Sequence, residues 1–223
     1  MLKIYGVPVS VHTRKVIVAA IEKDLPFEND PVIPYHPPAG WAELSPTGKI
    51  PVARDGALLL RDSAVICAYL ERAHPRPALY PAGAADYARA RWLEEYAGGV
   101  LYREVVHPLF FQRIIRPGML NEKTDDAAVA AVLGQALPRV FAYLERELGE
   151  SALEDGKFGI ADIALASNFI NFHYLGYELD RGSHPALAAS FRRWLERPSI
   201  RRALEAERPV AGSMGLQTGF VQR

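Results

Sequence analysis

Cysteine is almost missing from this chain: Cys67 is the single one among 223 residues. One thiol cannot close an internal disulfide, which excludes a secreted scaffold stapled by such bridges. Net charge is missing as well, because 26 Lys and Arg balance 26 Asp and Glu. A chain with no global field has nothing to draw in nucleic acid or an anionic membrane, so a small ligand is expected. The longest apolar run near the N-terminus, Val16 to Ile21, is far shorter than the roughly 20 residues that cross a bilayer. Met1 leads straight into the strand-like Leu2-Lys3-Ile4-Tyr5, without the apolar stretch of a signal peptide. A cytoplasmic protein with no membrane partner is the expectation. Gly-rich phosphate loops and Gly-x-Ser-x-Gly are absent, and the six histidines are scattered, so no metal is expected either.

What is present is an ordinary globular composition, 49% hydrophobic and 23% charged. Leu2 to Tyr5 is a β-prone run that stops at Gly6 and Pro8. Val16, Ile17, Ala20 and Ile21 recur at helical spacing and predict a helix over residues 13–23. Pro26 ends it, and residues 27–33 read as a second strand. A Pro-rich loop with Pro34, Pro37 and Pro38 leads to a short helical piece at residues 41–44. Two further strands, residues 51–54 and 58–60, flank Asp55-Gly56, a hairpin signal. Asp62 or Ser63 can then cap a helix with the apolar stripe Val65, Ile66, Tyr69, Leu70 and Ala73.

Beyond Pro81 no strand pattern recurs. Asp86 is positioned to cap a long helix from Tyr87 towards Arg113. Residues 122–148 predict a second, with Leu137, Val140, Phe141, Leu144 and Leu148 on one face and Gly149 past its end. A third spans residues 160–174, and shorter ones cover residues 186–195 and 200–206. The division falls in the Pro-rich stretch Pro75 to Pro81, giving domains 1–80 and 86–223.

The chemistry is concentrated in Leu44-Ser45-Pro46-Thr47-Gly48-Lys49-Ile50-Pro51, then Asp55-Gly56, then Arg61-Asp62-Ser63-Ala64-Val65-Ile66. This composite of a turn, a proline heading a strand and an acid-serine pair opening a helix resembles the glutathione-site signature of the glutathione S-transferase family. The resemblance implies an α+β N-terminal thioredoxin-like domain (βαβαββα) followed by an all-α helical domain. The proline matching Pro51 follows a cis bond in that family. Ile50 then turns its backbone N–H and C=O outward to pair with the cysteinyl unit of glutathione, as an added strand would. Ser63, at a helix start, suits the γ-glutamyl carboxylate. Asp62 takes the ammonium group, and Lys49, with His36 or Trp41, holds the glycyl end.

The catalytic group implied is Ser10, since Ser10-Val11-His12-Thr13-Arg14-Lys15-Val16 resembles the Ser-type, phi-like classes. Thr13 is the next candidate, Tyr5 reads as structural, and His12 as a solvent-facing first-turn residue. Cys67 sits beside the apolar stripe and reads as core. Phe158-Gly159-Ile160-Ala161-Asp162 resembles the family's capping box, with Gly159 in place of Ser or Thr. Asp162 is therefore a folding residue. Tyr102, Val106, His107 and Phe110, followed by Phe111 and Arg113, are expected to line the electrophile pocket. The interrupted basic run Arg192 to Arg202 reads as a solvated helix face.

The implied activity is a dimeric glutathione transferase that joins the glutathione thiolate to hydrophobic electrophiles, as in detoxification, with glutathione as co-substrate. The alternatives are a non-catalytic ligand-binding or protein-interaction module of the same fold, or a glutathione-dependent isomerase, dehalogenase or peroxidase.

Overall fold

The computed structural model describes residues 1–150 and 157–222. The chain begins with β1 (Leu2–Tyr5), α1 (Val11–Glu22), β2 (Phe27–Asp30), α2 (Trp41–Leu44), β3 (Val52–Asp55), β4 (Leu58–Arg61) and α3 (Ser63–Ala73). The strand order is β2-β1-β3-β4. β1 runs parallel to β2 and antiparallel to β3, and β3 pairs antiparallel with β4. This is the expected βαβαββα unit. β2 is shorter than residues 27–33 because Pro31 cannot continue the ladder.

The remaining elements are helical. α4 (Ala84–Tyr96) runs on through a π-wound stretch (Ala97–Val106), α5 (His107–Phe110), a second π stretch (Phe111–Ile115) and α6 (Arg116–Met119). Next come α7 (Asp126–Ala131), a π stretch (Val132–Ala136) and α8 (Leu137–Glu150), then α9 (Ile160–Tyr174), α10 (Pro185–Glu196) and α11 (Pro198–Ser213). Each π stretch ends two residues before a proline: Pro108, Pro117 and Pro138. A proline inside a helix brings no N–H and crowds the carbonyl four residues back. A wider turn ahead of it relieves that crowding while the helix continues.

Several expected boundaries shift. Gly83, not Asp86, is the N-cap of α4, and Asp86 sits in its first turn. Asp125 caps α7 by accepting from Ala128 N–H, so this helix starts later than residue 122, and Gly149 lies inside α8. α11 continues through the exposed Pro209 to Ser213, seven residues past the expected end at residue 206. Val65 is 53% exposed, and the buried stripe of α3 is Ser63, Ile66, Cys67 and Leu70. Residues 126–149 have the length and mean hydropathy of a membrane span. Nevertheless Val140, Phe141 and Leu144 point into the core, where Phe141 packs on Phe169 and Phe172.

The α/β unit and the helical part share one hydrophobic core, and α1 is the seam between them. The sequence marked Arg14 only as part of a motif, yet it is fully buried. It makes Nε and Nη2 hydrogen bonds to Glu207 at 2.8–3.1 Å and donates Nη1 to the Ser167 carbonyl and to Asn171, both at 2.8 Å. Tyr174 OH also donates to Glu207, at 2.6 Å. One residue on, Lys15 Nζ reaches Glu94 on α4 at 2.7 Å. The Pro-rich stretch is pinned as well: Lys23 Nζ donates to the carbonyls of His74 and Pro77 and pairs with Glu71 at 2.7 Å. A buried ion pair gains little net stability over an apolar pair, but removing one partner strands the other charge.

Candidate functional site

The N-terminus of α1, the β3 edge and the start of α3 converge beside the π stretch that follows α4. Ser10 is the N-cap of α1: its Oγ accepts from Thr13 N–H at 3.5 Å, and its side chain is partly exposed. Because Ser10 accepts in that contact, its own hydroxyl proton remains available to a further acceptor. Thr13 is buried beneath Gly6, where any side chain would strike it, since a Cβ there would lie 2.4 Å from Thr13 Oγ1. Ser10 is thus the hydroxyl that reaches the surface.

The Ile50–Pro51 bond is cis. The same Cβ position on Gly6 would lie 3.2 Å from Ile50 Cβ, which places Ile50 against the β1–α1 turn. The turn before it is held from below: Ser45 Oγ donates to the Lys49 carbonyl at 2.7 Å, and Trp41 Nε1 donates to the Gly48 carbonyl at 3.3 Å. Trp41 is therefore a buttress rather than a ligand group, packed in a small core with Val32 and Val52. Lys49 and His36 are exposed. Pro51 is buried, as is expected for the hinge between loop and strand.

Asp62 has a positive φ of 72° and caps α3, accepting from Ala64 N–H at 2.8 Å. Ser63 is 5% exposed, and its Oγ lies 3.5 Å from His12 Nδ1. His12 is only partly exposed, not solvent-facing as expected. Its ring is wedged under the helical part, edge-on to Tyr102 with centroids 4.4 Å apart. Burial, followed by the neighbouring Lys15 charge, drives the imidazole down to about 4. Asp62 raises it, while Lys49 and, from the helical part, His107 lower it further. The sequence held a signal for this: Val16 and Ala19, four and seven residues on, share the inward face of α1.

On the helical side Tyr102, His107 and Phe111 form an aromatic ladder, with centroids 5.3 and 6.1 Å apart. Burial pushes the Tyr102 phenol up to about 12, with Tyr35 of the Pro-rich loop adding to the shift. Phe110 is partly buried against the core. Val106 is 1% exposed and offers a pocket almost no surface, a correction to its expected place in the wall. A cavity of about 190 Å³ lies elsewhere, between α1, β2 and α11, with Arg14 and Glu207 among its lining residues. Among the described residues no group of three His, Cys, Asp or Glu side chains is placed to hold a metal.

At the other end, Asp162 Oδ2 accepts from Gly159 N–H at 3.0 Å and Oδ1 from Trp194 Nε1 at 2.7 Å, the folding role expected of it. The glycine has a cause: a Cβ on Gly159 would lie 2.7 Å from the Leu79 carbonyl oxygen.

Comparison with known proteins agrees with this architecture. The profile of the glutathione S-transferase N-terminal domain matches residues 4–78, and that of the C-terminal domain matches residues 126–197. A glutathione S-transferase of Hyoscyamus muticus is 30% identical over 218 residues, covering 92% of this chain and 98% of its own. Glutathione S-transferase 1 of Zea mays is 27% identical over 216 residues, covering 94% and 99%. A solved glutathione S-transferase structure from Rhodospirillum rubrum F11 superposes with a TM-score of 0.83 at 26% identity, covering 92% of each chain. Together with the βαβαββα unit and its helical extension, these matches show that the chain belongs to the glutathione S-transferase family.

Proposed function

We propose that this chain is a glutathione transferase, joining the glutathione thiolate to an electrophilic carbon of hydrophobic small molecules. The observation that carries this reading is Ser10, partly exposed at the start of α1 with its proton unspent. Ile50 would pair with the cysteinyl backbone beside the buried Pro51, Ser63 and Asp62 would take the γ-glutamyl carboxylate and ammonium, and Lys49 the glycyl end. Tyr102, His107 and Phe110 would face the electrophile.

The magnitudes are sufficient. Half-ionising a thiol of pKa about 8.5 at pH 7 requires about 2 kcal/mol of preference for the thiolate. One hydrogen bond to a charged group contributes about 1.5–3 kcal/mol, and a helix N-terminus roughly 0.3–1. Ser10 therefore acts as a donor and need not be a base.

We also infer domains 1–80 and 86–223, a cytoplasmic setting, a detoxifying role and a homodimer. Support for the dimer comes from Val65 on α3 and Trp92 on α4, each about half exposed. Retention on immobilised glutathione, followed by aryl halide, epoxide and hydroperoxide substrates, tests the activity. Ser10→Ala should lower kcat/KM at least tenfold and raise the pKa of bound glutathione by about 1 unit. Unchanged turnover and ionisation would remove Ser10 from the mechanism.

A further inference from the structure

His12 meets three groups at once. Its Nδ1 lies 3.5 Å from Ser63 Oγ, its ring stands edge-on to Tyr102, and its Cε1 lies 3.8 Å from where a Gly98 Cβ would be. The ring therefore lies beside the π-wound stretch, at van der Waals distance from a Cβ placed on Gly98. Burial keeps the imidazole neutral at pH 7, so it carries one proton, on either Nδ1 or Nε2. Ser63 likewise has one proton to give. With Nδ1 bare, the Ser63 hydroxyl is drawn to the ring and turns lone pairs outward, which an anion would not tolerate. With a proton on Nδ1, the ring donates to Ser63 Oγ and the hydroxyl proton is left for an outer acceptor. An anion seated at the start of α3 selects the second arrangement.

We infer that His12 is a positioning residue, donating Nδ1–H to Ser63 Oγ so that the Ser63 hydroxyl is committed to donating towards a ligand carboxylate. The inference rests on the glutathione reading and specifies it: the carboxylate is the α-carboxylate of the γ-glutamyl unit, and His12 acts on it through Ser63. Because the same ring packs on Tyr102, the pocket for that end of the ligand is built jointly by α1, α3 and the helical part.

The test is calorimetric titration of the full chain with S-methylglutathione. His12→Leu should weaken binding about tenfold. His12→Asn places an amide donor near the Nδ1 position and should stay within about threefold of the unaltered chain. With the α-carboxamide analogue of the γ-glutamyl unit, His12→Leu should cost no more than about twofold, because the anion is gone. Equal losses in the Leu and Asn variants, no loss in the Leu variant, or the same loss with the carboxamide would overturn the assignment. A mutation-free check is the imidazole ¹⁵N shift of His12 in the saturated protein, which should report a proton on Nδ1; a bare Nδ1 overturns the inference. Failure of the unaltered chain to bind S-methylglutathione would overturn the glutathione reading and this one with it. Binding that is indifferent to His12 would overturn this one alone.

Discussion

Cys67 lies on the inner face of α3, and burial pushes its thiol up to about 12. Only the thiolate is a useful nucleophile, so this side chain is inert at neutral pH. A disulfide-forming thiol reagent at pH 8 should find no reactive group in the folded protein and one in denaturant; rapid labelling of the folded chain would contradict the burial. Cys67 was legible in the sequence because it lies beside the apolar stripe of its own helix, although Lys15 of α1 and Glu94 of α4 also act on it. Ser63 and the Ile50–Pro51 edge were legible for the same reason, each belonging to a short contiguous motif. His12 was not, since Tyr102, which stands against its ring, lies ninety residues further along. Trp41 is a candidate for the glycyl end on position alone; its indole N–H is taken by the Gly48 carbonyl, seven residues on, and sequence position does not show which way an indole points.

Among elements, α9 was read to the residue, at Ile160–Tyr174, although it is buried on nearly every side and carries no one-sided apolar stripe. Proline marks the places where the reading fell short in both directions. Pro31 ended β2 early, whereas the helices continue through Pro117 and Pro209, past their expected ends; Pro108 and Pro138 lie within helices that were expected to run through them. The α9 cap gives a test against the usual rule. Ser at an N-cap normally gains a few tenths of a kcal/mol over Gly. At Gly159 the added Cβ would press on the Leu79 carbonyl, which itself accepts from Ile160 N–H at 2.9 Å. Restoring the family's hydroxyl by Gly159→Ser should therefore destabilise the fold by about 1–3 kcal/mol in urea unfolding. A stabilised variant would show that the carbonyl can move aside.

At the scale of the molecule, the two halves are joined through adjacent cations on α1, Arg14 reaching Glu207 and Lys15 reaching Glu94. Arg14→Met should cost about 3–5 kcal/mol, because Glu207 is left buried and uncompensated, and pairing it with Glu207→Leu should recover part of that loss. Equilibrium denaturation of the three variants is the measurement; a single-variant loss below about 1 kcal/mol would mean that the seam is held by packing instead. The sequence showed two textures, one strand-rich and one helical, but not this clamp, whose partners lie 79 and 193 residues apart along the chain.

The π-wound stretch over Ala97–Val106 also bears on how such a protein can diversify. A π stretch holds more residues per turn than the α-helix around it, so losing one residue here relaxes the helix instead of breaking it. The wide turn takes up its extra residue locally, so what lies beyond the deletion keeps its facing. His107 and Phe111 would stay in register with the helix before them. A single-codon deletion could thus pass in one step at this stretch, where the same loss from a regular α-turn would rotate everything that follows by about 100°.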